Sequence, residues 1–496
     1  MSLRILIVIF IIGLLVRFLY FPQNVYFAYD QARDSYTALD VLEGDFKVVG
    51  PPSAASDKLF AGPLVFYIYA PIYWLGNHNP EVVSGFFRVF NALGVFVVFF
   101  IAKILFNRFV GLVSALLFAI SYEQSQYSLF ISHQPLAVVP VLLLYLGLAL
   151  LFFKKEKRGL IFVAIGWGLA LQFHYVYLLL GLGILFLMIL FRKDLPILKL
   201  RDLLGSLAVF ILIVGTYILS EIKFDFRIIR ALIFGSASSN FHPGSIIFVV
   251  NRFLHDTFWA DYSFTFITAV VLLFACLKLY FSGGRQKLFF LLVWLFLGTL
   301  PYLLSGTPSY YYSAGASVSL ILLAGYLLGE IYKKKPVFAV FGAGVVIFNN
   351  LFLVSTVNPK GLNSDMVIQP GMLLSSEKQA LDYIYKSAGD KPFAVGSLTI
   401  PYSINTTWNY LFEWYGRQKY NYLPVWVGPV AQGYPGSIPV SNVRSDLPTL
   451  QFLIVEPTVG IDSYTLQKFF REENYFTRIE EEKAFGTITV QRRQRI

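Results

Sequence analysis

Apolar runs dominate the chain and set its organisation. About eleven stretches approach the ~20 apolar residues that a helix needs to cross a bilayer. They are residues 3–20, 81–106, 109–122, 135–153, 160–173, 175–191, 203–220, 264–280, 288–304, 314–331 and 336–354. The third and fifth are short and could extend into their flanks. Basic residues mark alternate connections: Lys103 and Arg108; Lys154, Lys155, Lys157 and Arg158; Arg192, Lys193, Lys199 and Arg201; Lys278, Arg285 and Lys287; Lys333, Lys334 and Lys335. The intervening connections, 123–134, His174 and 305–313, carry no Lys or Arg. This alternation is the positive-inside pattern. It predicts a multi-pass cell-membrane protein with a cytoplasmic N-terminus. It puts two long loops, 21–80 and 221–263, and the residues from 357 onward, on the extracytoplasmic side. No small-x-small site precedes Phe21-Pro22, so the first span reads as a retained anchor.

Residues 59–76 are apolar and aromatic but hold Pro63 and Pro71. Counted as a span, they would invert every later connection. They are expected to form a helix lying in the outer interface.

Beyond residue 356 the pattern changes. Ser375-Ser376 is expected to cap a helix whose apolar face is Ala380, Leu381, Ile384 and Tyr385. Residues 392–398, 451–455 and 485–490 read as strands, and 407–415 and 464–470 as helices. The predicted fold class is an all-α polytopic membrane domain, residues 1–356, with juxtamembrane helices in its first outer loop. A small C-terminal extracytoplasmic α/β domain, residues 357–496, follows it.

Composition agrees with a membrane chain. Of 496 residues, 56% are hydrophobic and 14% charged, against about 45–50% and 25% in soluble proteins. Disordered and purely soluble classes are excluded. The net charge of +11 resembles a nucleic-acid signal until it is located. From Val357 onward there are 14 Lys+Arg and 13 Asp+Glu, so nearly all the excess lies among the apolar segments. There it sets membrane orientation, and no nucleic-acid partner is expected. The single cysteine, Cys276, makes no internal bridge and says nothing of redox compartment.

The first outer loop holds the most informative polar residues. Asp30, Arg33 and Asp34 share a helical face directly after the first span. A solvated, salt-bridged helix start would look the same, with Asp30 favoured by the helix dipole. Gly50-Pro51-Pro52 and Gly62-Pro63 fix a rigid path between interface helices, with Asp57 and Lys58 between them. The second outer loop supplies Arg227, Arg230, Arg252 and His255 on an expected amphipathic interfacial helix. Such cations either meet anionic headgroups or clamp a lipid phosphate. Arg88, near a span end, more often snorkels or packs than binds substrate. Gln172 and His174 lie at a tight outer hairpin, where a lone His is more often hydrogen-bonded than a base. Tyr310, Tyr311 and Tyr312 read as an outer aromatic belt. No His, Cys or carboxylate spacing indicates a metal, and no P-loop, dinucleotide or nucleophile-elbow motif is present.

In this order and topology the pieces resemble the C-type superfamily of polyprenyl-phosphate-sugar glycosyltransferases. The nearest group is the protein O-mannosyltransferases and aminoarabinose transferases, glycosyltransferase family 39-like. The residues carrying the resemblance are Asp30-Gln31-Ala32-Arg33, Leu42-Glu43-Gly44-Asp45, Gly50-Pro51-Pro52, Gly62-Pro63, Arg88-Val89-Phe90-Asn91 and Leu171-Gln172-Phe173-His174-Tyr175. The resemblance implies an inverting transfer of sugar from a polyprenyl-phosphate donor to an outer-face acceptor, with Asp30 as general base. The acceptor class, whether protein, lipid or glycan, is left open. The candidate substrate and phosphate contacts are Arg33, Asp57, Lys58, Arg227, Arg230 and His174. No cofactor is required, although a carboxylate-rich loop could hold a divalent ion. Relatives often carry Glu-Lys where this chain has Ala61 and Gly62. Two other readings are a transporter or flippase of lipid-linked sugars and a scaffold with a partner-binding outer domain. A flippase predicts interrupted spans and intramembrane charges. A scaffold would leave the polar loop around Asp30 and Lys58 without a role.

Overall fold

A computed structural model describes residues 2–53, 56–227, 229–230, 243–304, 310–428, 431–441, 443 and 446–496. The chain forms two compact units. One comprises Met1–Leu19, Phe46–Ile68 and Gly85–Thr356; the other comprises Tyr20–Asp45, Tyr69–Ser84 and Val357–Ile496.

The first unit is helical. Every stretch expected to span falls on a helix, from Ser2–Phe18 through Arg108–Ile120 and Val318–Lys334 to Pro336–Val357. Among the described residues, five helical segments are long and apolar enough to cross a membrane. They are Pro80–Leu105, Gln134–Lys154, Leu200–Lys223, Tyr262–Phe281 and Pro336–Lys360. Helices Val138–Lys154 and Gly159–Phe173 pack closely because Gly147 faces the Gly159 carbonyl, which a Cβ on Gly147 would approach to 2.6 Å. Small residues at such crossings let backbones meet in lipid, where no hydrophobic force separates helix from solvent.

Buried polar residues join the helix ends. Arg17 is 1% exposed. Its Nε donates to Asn91 Oδ1 at 2.8 Å and its Nη1 to the Ala119 carbonyl at 2.8 Å. Arg88 donates to the Arg17 carbonyl. Arg88 and Asn91, one turn apart, therefore point inward, and Arg88 does not snorkel. A guanidinium in this interior must spend its donors on backbone carbonyls and amides to offset desolvation.

The glycine-proline segments of the first outer loop have a steric reason. The Gly62 N–H donates to the Gln172 carbonyl at 2.8 Å. A Cβ on Gly62 would lie 1.9 Å from Gln172 Oε1 and 2.9 Å from the Gln172 carbonyl. A Cβ on Gly50 would lie 2.1 Å from the Gly62 carbonyl. Gln172 cannot step aside, because its Nε2 donates to the Ile213 carbonyl at 2.6 Å and to Thr216 Oγ1 at 2.8 Å. Gly62→Ala is expected to lower stability by about 1–3 kcal/mol, the usual cost of overpacking. The thermal unfolding midpoint in detergent reads this, and an unchanged midpoint would refute the clash.

The second unit is built on a six-stranded sheet of order β5-β4-β3-β6-β8-β7. Its strands are β3 Ala394–Leu398, β4 Val425–Val427, β5 Val440–Ser441, β6 Leu450–Val455, β7 Thr477–Phe485 and β8 Ile488–Arg495. (β1 Pro52–Ser53 and β2 Ser56–Phe60 form a small antiparallel pair in the first unit.) β3 to β6 are mutually parallel, and β8 and β7 add antiparallel. The predicted strand at 485–490 is corrected: it straddles the turn between β7 and β8, where Gly486 takes φ +62. Helix Leu374–Ala388 buries the expected face of Ala380, Leu381, Ile384 and Tyr385. Its N-cap is Leu373 rather than a serine, and Ser375 Oγ instead donates to the Gln23 carbonyl at 2.8 Å. The helix expected at 464–470 runs over Ser463–Phe476, started by Asp462, whose Oδ1 accepts from Thr465 N at 2.9 Å.

This sheet unit encloses the beginning of the first outer loop. Phe27 N donates to the Met372 carbonyl at 3.1 Å, and Leu374 N to the Val25 carbonyl at 2.9 Å. Tyr410 Oη donates to the His78 carbonyl at 2.7 Å, and Lys378 pairs with Glu81 at 2.5 Å.

Candidate active site

Helix Tyr29–Leu42 carries the leading candidate. Its N-cap, Ala28, has no side-chain acceptor, and Gln31 Oε1 instead accepts from Ala28 N at 3.2 Å. Asp30 sits in the first turn, where a negative charge is favoured by the unpaired N–H groups. Arg33 reaches both neighbouring carboxylates. Its Nη1 lies 2.7 Å from Asp30 Oδ1, its Nη2 2.7 Å and its Nε 2.8 Å from Asp34 Oδ1. The guanidinium also covers the Tyr29 ring, 5.5 Å from its centroid.

The two aspartates are not equivalent. The Asp34 side chain is 2% exposed and that of Asp30 57%. Burial pushes the Asp34 carboxyl up to about 6, with Arg33 pulling it down and Asp30 pushing it further up. Asp34 is the anchor that orients Arg33, and Asp30 is the carboxylate open to an incoming group.

The helix is fixed from the other side by the C-terminal residues. Tyr36 Oη donates to Glu413 Oε2 at 2.7 Å, while Glu413 Oε1 accepts from Ser437 N at 2.6 Å and Ser437 Oγ at 2.9 Å. Tyr29 meets Tyr434 edge-on at 6.2 Å, and Ser35 and Tyr73 share a hydrogen bond of 2.5 Å. Glu413, Ser437 and Tyr434 carry no motif, and only an arrangement in space picks them out.

The other candidates belong to the first unit. Asp57 and Lys58 lie on β2, and their side chains are outside the described residues. Arg227 stacks over Phe60 at 5.1 Å and lines a cavity of about 220 Å³ with Val49, Glu221 and Phe224. Arg230 is exposed. His174 is 4% exposed. Its Nδ1 accepts from Val176 N at 3.1 Å, and its ring stacks on Tyr175 at 4.5 Å. Burial pushes its imidazole down to about 3, so it is neutral at physiological pH.

Two sequence expectations, one in the second outer loop and one at residues 310–312, are corrected. Helix Pro243–Phe258 does not offer Arg252 to headgroups, because Arg252 is 1% exposed. Its guanidinium lies 4.3 Å from the Tyr310 ring centroid and donates to Tyr302 Oη at 3.3 Å. Tyr310 and Tyr312 are buried rather than forming a belt, and Tyr310 Oη donates to Asp256 Oδ2 at 2.9 Å. Phenol groups that serve a buried guanidinium and a buried carboxylate leave the lipid interface for the interior. Among the described residues no group of three or more His, Cys, Asp or Glu is arranged to hold a metal.

Residues 61–218 match the family described as dolichyl-phosphate-mannose-protein mannosyltransferase. No curated protein sequence matches the chain. The fold is similar to that of ArnT from Cupriavidus metallidurans, solved bound to undecaprenyl phosphate. The TM-score is 0.63 at 10% identity, over 98% of this chain and 97% of that one. It is also similar to the archaeal oligosaccharyltransferase AglB from Archaeoglobus fulgidus, solved with an inhibitory peptide and a dolichol-phosphate. There the TM-score is 0.52 at 11% identity, over 79% of this chain and 62% of that one. At these identities the likeness is one of fold. Over residues 61–218 the chain is thus similar in sequence to the dolichyl-phosphate-mannose-protein mannosyltransferases, and its fold is similar to those of ArnT and AglB.

Proposed function

We propose that the protein transfers a sugar from a polyprenyl-phosphate donor to an acceptor on the extracytoplasmic face, with inversion and with Asp30 as general base. The observation that carries this reading is the unequal pair on one helix, an exposed Asp30 held by Arg33 and a buried Asp34. An acceptor hydroxyl is a weak nucleophile until a positioned carboxylate takes its proton. Its oxygen forms the new bond to the anomeric carbon as the bond to the phosphate oxygen breaks. The proton goes to Asp30, and the electron pair leaves with the lipid phosphate. One base suffices for a single inverting displacement. Charge building on the phosphate is met by cations, for which Lys58, Arg227 and Arg230 are the candidates. The solved relatives bind undecaprenyl or dolichol phosphate, which supports a polyprenyl carrier here. The bilayer itself delivers such a donor, so no nucleotide-binding fold is needed. The N-terminus is cytoplasmic in this reading, and residues 357–496 face outward with Asp30.

The test is transfer of labelled sugar by purified protein from a panel of polyprenyl-phosphate sugars. Arg227→Gln is expected to raise KM for the lipid donor about tenfold or more, a loss of about 1.4 kcal/mol. Donor binding without transfer to any acceptor or water would instead favour movement of lipid-linked sugars across the bilayer. An unchanged KM would remove Arg227 from the donor site.

A further inference from the structure

Away from helix Tyr29–Leu42, the second unit has a cavity of about 430 Å³ on one face of its sheet. Its polar wall is Gln451 from β6, Ser441 from β5, Arg495 from β8, and Glu472 and Glu473 from helix Ser463–Phe476; Phe476 supplies an aromatic side. Gln451 is 1% exposed, and its Nε2 donates to Glu473 Oε2 at 3.1 Å, so the amide is aimed at the helix across the space. On the neighbouring strand Gly396 offers no side chain. A Cβ there would lie 3.7 Å from Gln451 Nε2 and 4.0 Å from Glu473 Oε1. Arg495 is held in place by the Leu447 carbonyl at 2.7 Å.

The lining selects a ligand class. Two carboxylates oppose an anion, and the guanidinium of Arg495 opposes a metal cation. An apolar ligand would cover the exposed Glu472 carboxylate without offering it a hydrogen bond, which costs about 1–3 kcal/mol or more for a charged group. What remains is a neutral compound rich in hydroxyls, each both donor and acceptor, with one apolar face to lie on Phe476. The volume is within the ~300–1,000 Å³ of small-molecule sites.

The geometry points to a pyranose-binding site on the sheet of the C-terminal domain, formed by Gln451, Glu472, Glu473, Arg495, Ser441 and Phe476. Its rim is coupled to the helix that carries Asp30. Residues 431–441, which end at Ser441 on the cavity wall, bear Tyr434, which packs on Tyr29, and Ser437, which holds Glu413 against Tyr36. A sugar of the acceptor bound at Ser441 would restrain this described segment. That source for the sugar rests on the transferase reading above, whereas the binding itself does not.

The test is titration of the full detergent-solubilised chain, without lipid donor, with methyl pyranosides of glucose, mannose, galactose and N-acetylglucosamine. Saturation-transfer NMR and calorimetry read the binding. Saturable binding of at least one glycoside is expected, with Kd on the order of 1 mM. Glu472→Gln, an exposed position on the wall, and Ser441→Tyr, which fills the space, are each expected to weaken it at least tenfold. The melting midpoint of Glu472→Gln should stay at that of the wild type. No saturable binding to any of the four glycosides, or binding indifferent to both variants, overturns the proposal. Because the titration needs no donor, its failure leaves the transferase reading standing. A chain that binds glycosides but never transfers sugar would fail the transferase reading alone.

Discussion

Asp30→Asn folds as the wild type does and loses sugar transfer by about 10²–10⁴-fold, the usual worth of a general base. The fold survives because the Asp30 side chain is 57% exposed and its only described ion pair is with Arg33. An exposed pair of this kind contributes about 0–1 kcal/mol. Asparagine keeps the shape and the first-turn position but cannot take the acceptor's proton. The measurement is turnover of the labelled donor beside the thermal unfolding midpoint. Turnover equal to that of the wild type would take the proton-accepting role away from Asp30.

Arg33→Gln has the largest expected effect on stability. Arg33 holds Asp34 by two contacts of 2.7 and 2.8 Å, and without it the carboxylate is stranded at 2% exposure. Breaking a buried pair from one side costs about 3–5 kcal/mol. The loss depends on pH in a defined direction. The Asp34 carboxyl titrates at about 6 in the fold, against about 3.9 in an unfolded chain. A carboxyl raised by folding gives stability that is fully present below the unfolded value and lost as pH rises through the folded one. Removing Arg33 raises the carboxyl further, so the variant is penalised little near pH 4.5 and fully near pH 7.5. Arg33→Gln combined with Asp34→Asn recovers most of the midpoint at pH 7.5, since no charge is then buried. Equal losses at both pH values, or no recovery in the double variant, would show that Asp34 is not the group left stranded.

What was legible in the sequence follows from how local each signal is. Apolar helices announce themselves by composition: each expected span falls on a helix, and among the described residues five helical segments are long and apolar enough to cross a membrane. Asp30 and Arg33 were legible because three residues of helix place them side by side. The burial of Asp34 was not, because it is set by residues around the helix rather than on it. Strands β7 and β8 were misplaced because Glu480, Glu481 and Glu482 on one, and Arg492, Arg493 and Arg495 on the other, give the polar pattern of a loop. β7 can carry those charges because it is the sheet's edge, where charged side chains also discourage pairing with another chain. Three consecutive tyrosines look like an interfacial belt in any apolar chain. That Tyr310 turns inward to Asp256 and Arg252 is decided by a helix more than fifty residues earlier. The roles of Gln172 and of Gly50 and Gly62 were half legible: glycine marked a tight path, but not the amide that makes it tight.

The second unit draws on three separated stretches of chain, and this has a consequence for the order of assembly. Val25 and Phe27 find their hydrogen-bond partners at Met372 and Leu374, and Tyr36 finds Glu413, more than three hundred residues later. During synthesis the helix bearing Asp30 leaves the ribosome early, yet the groups that orient it do not exist until every span has been inserted. Contacts closed over so long a loop form last. The helix that carries Asp30 is thus held in its folded position only after the membrane part has been made, so a partly inserted chain would carry that helix without the groups that fix it.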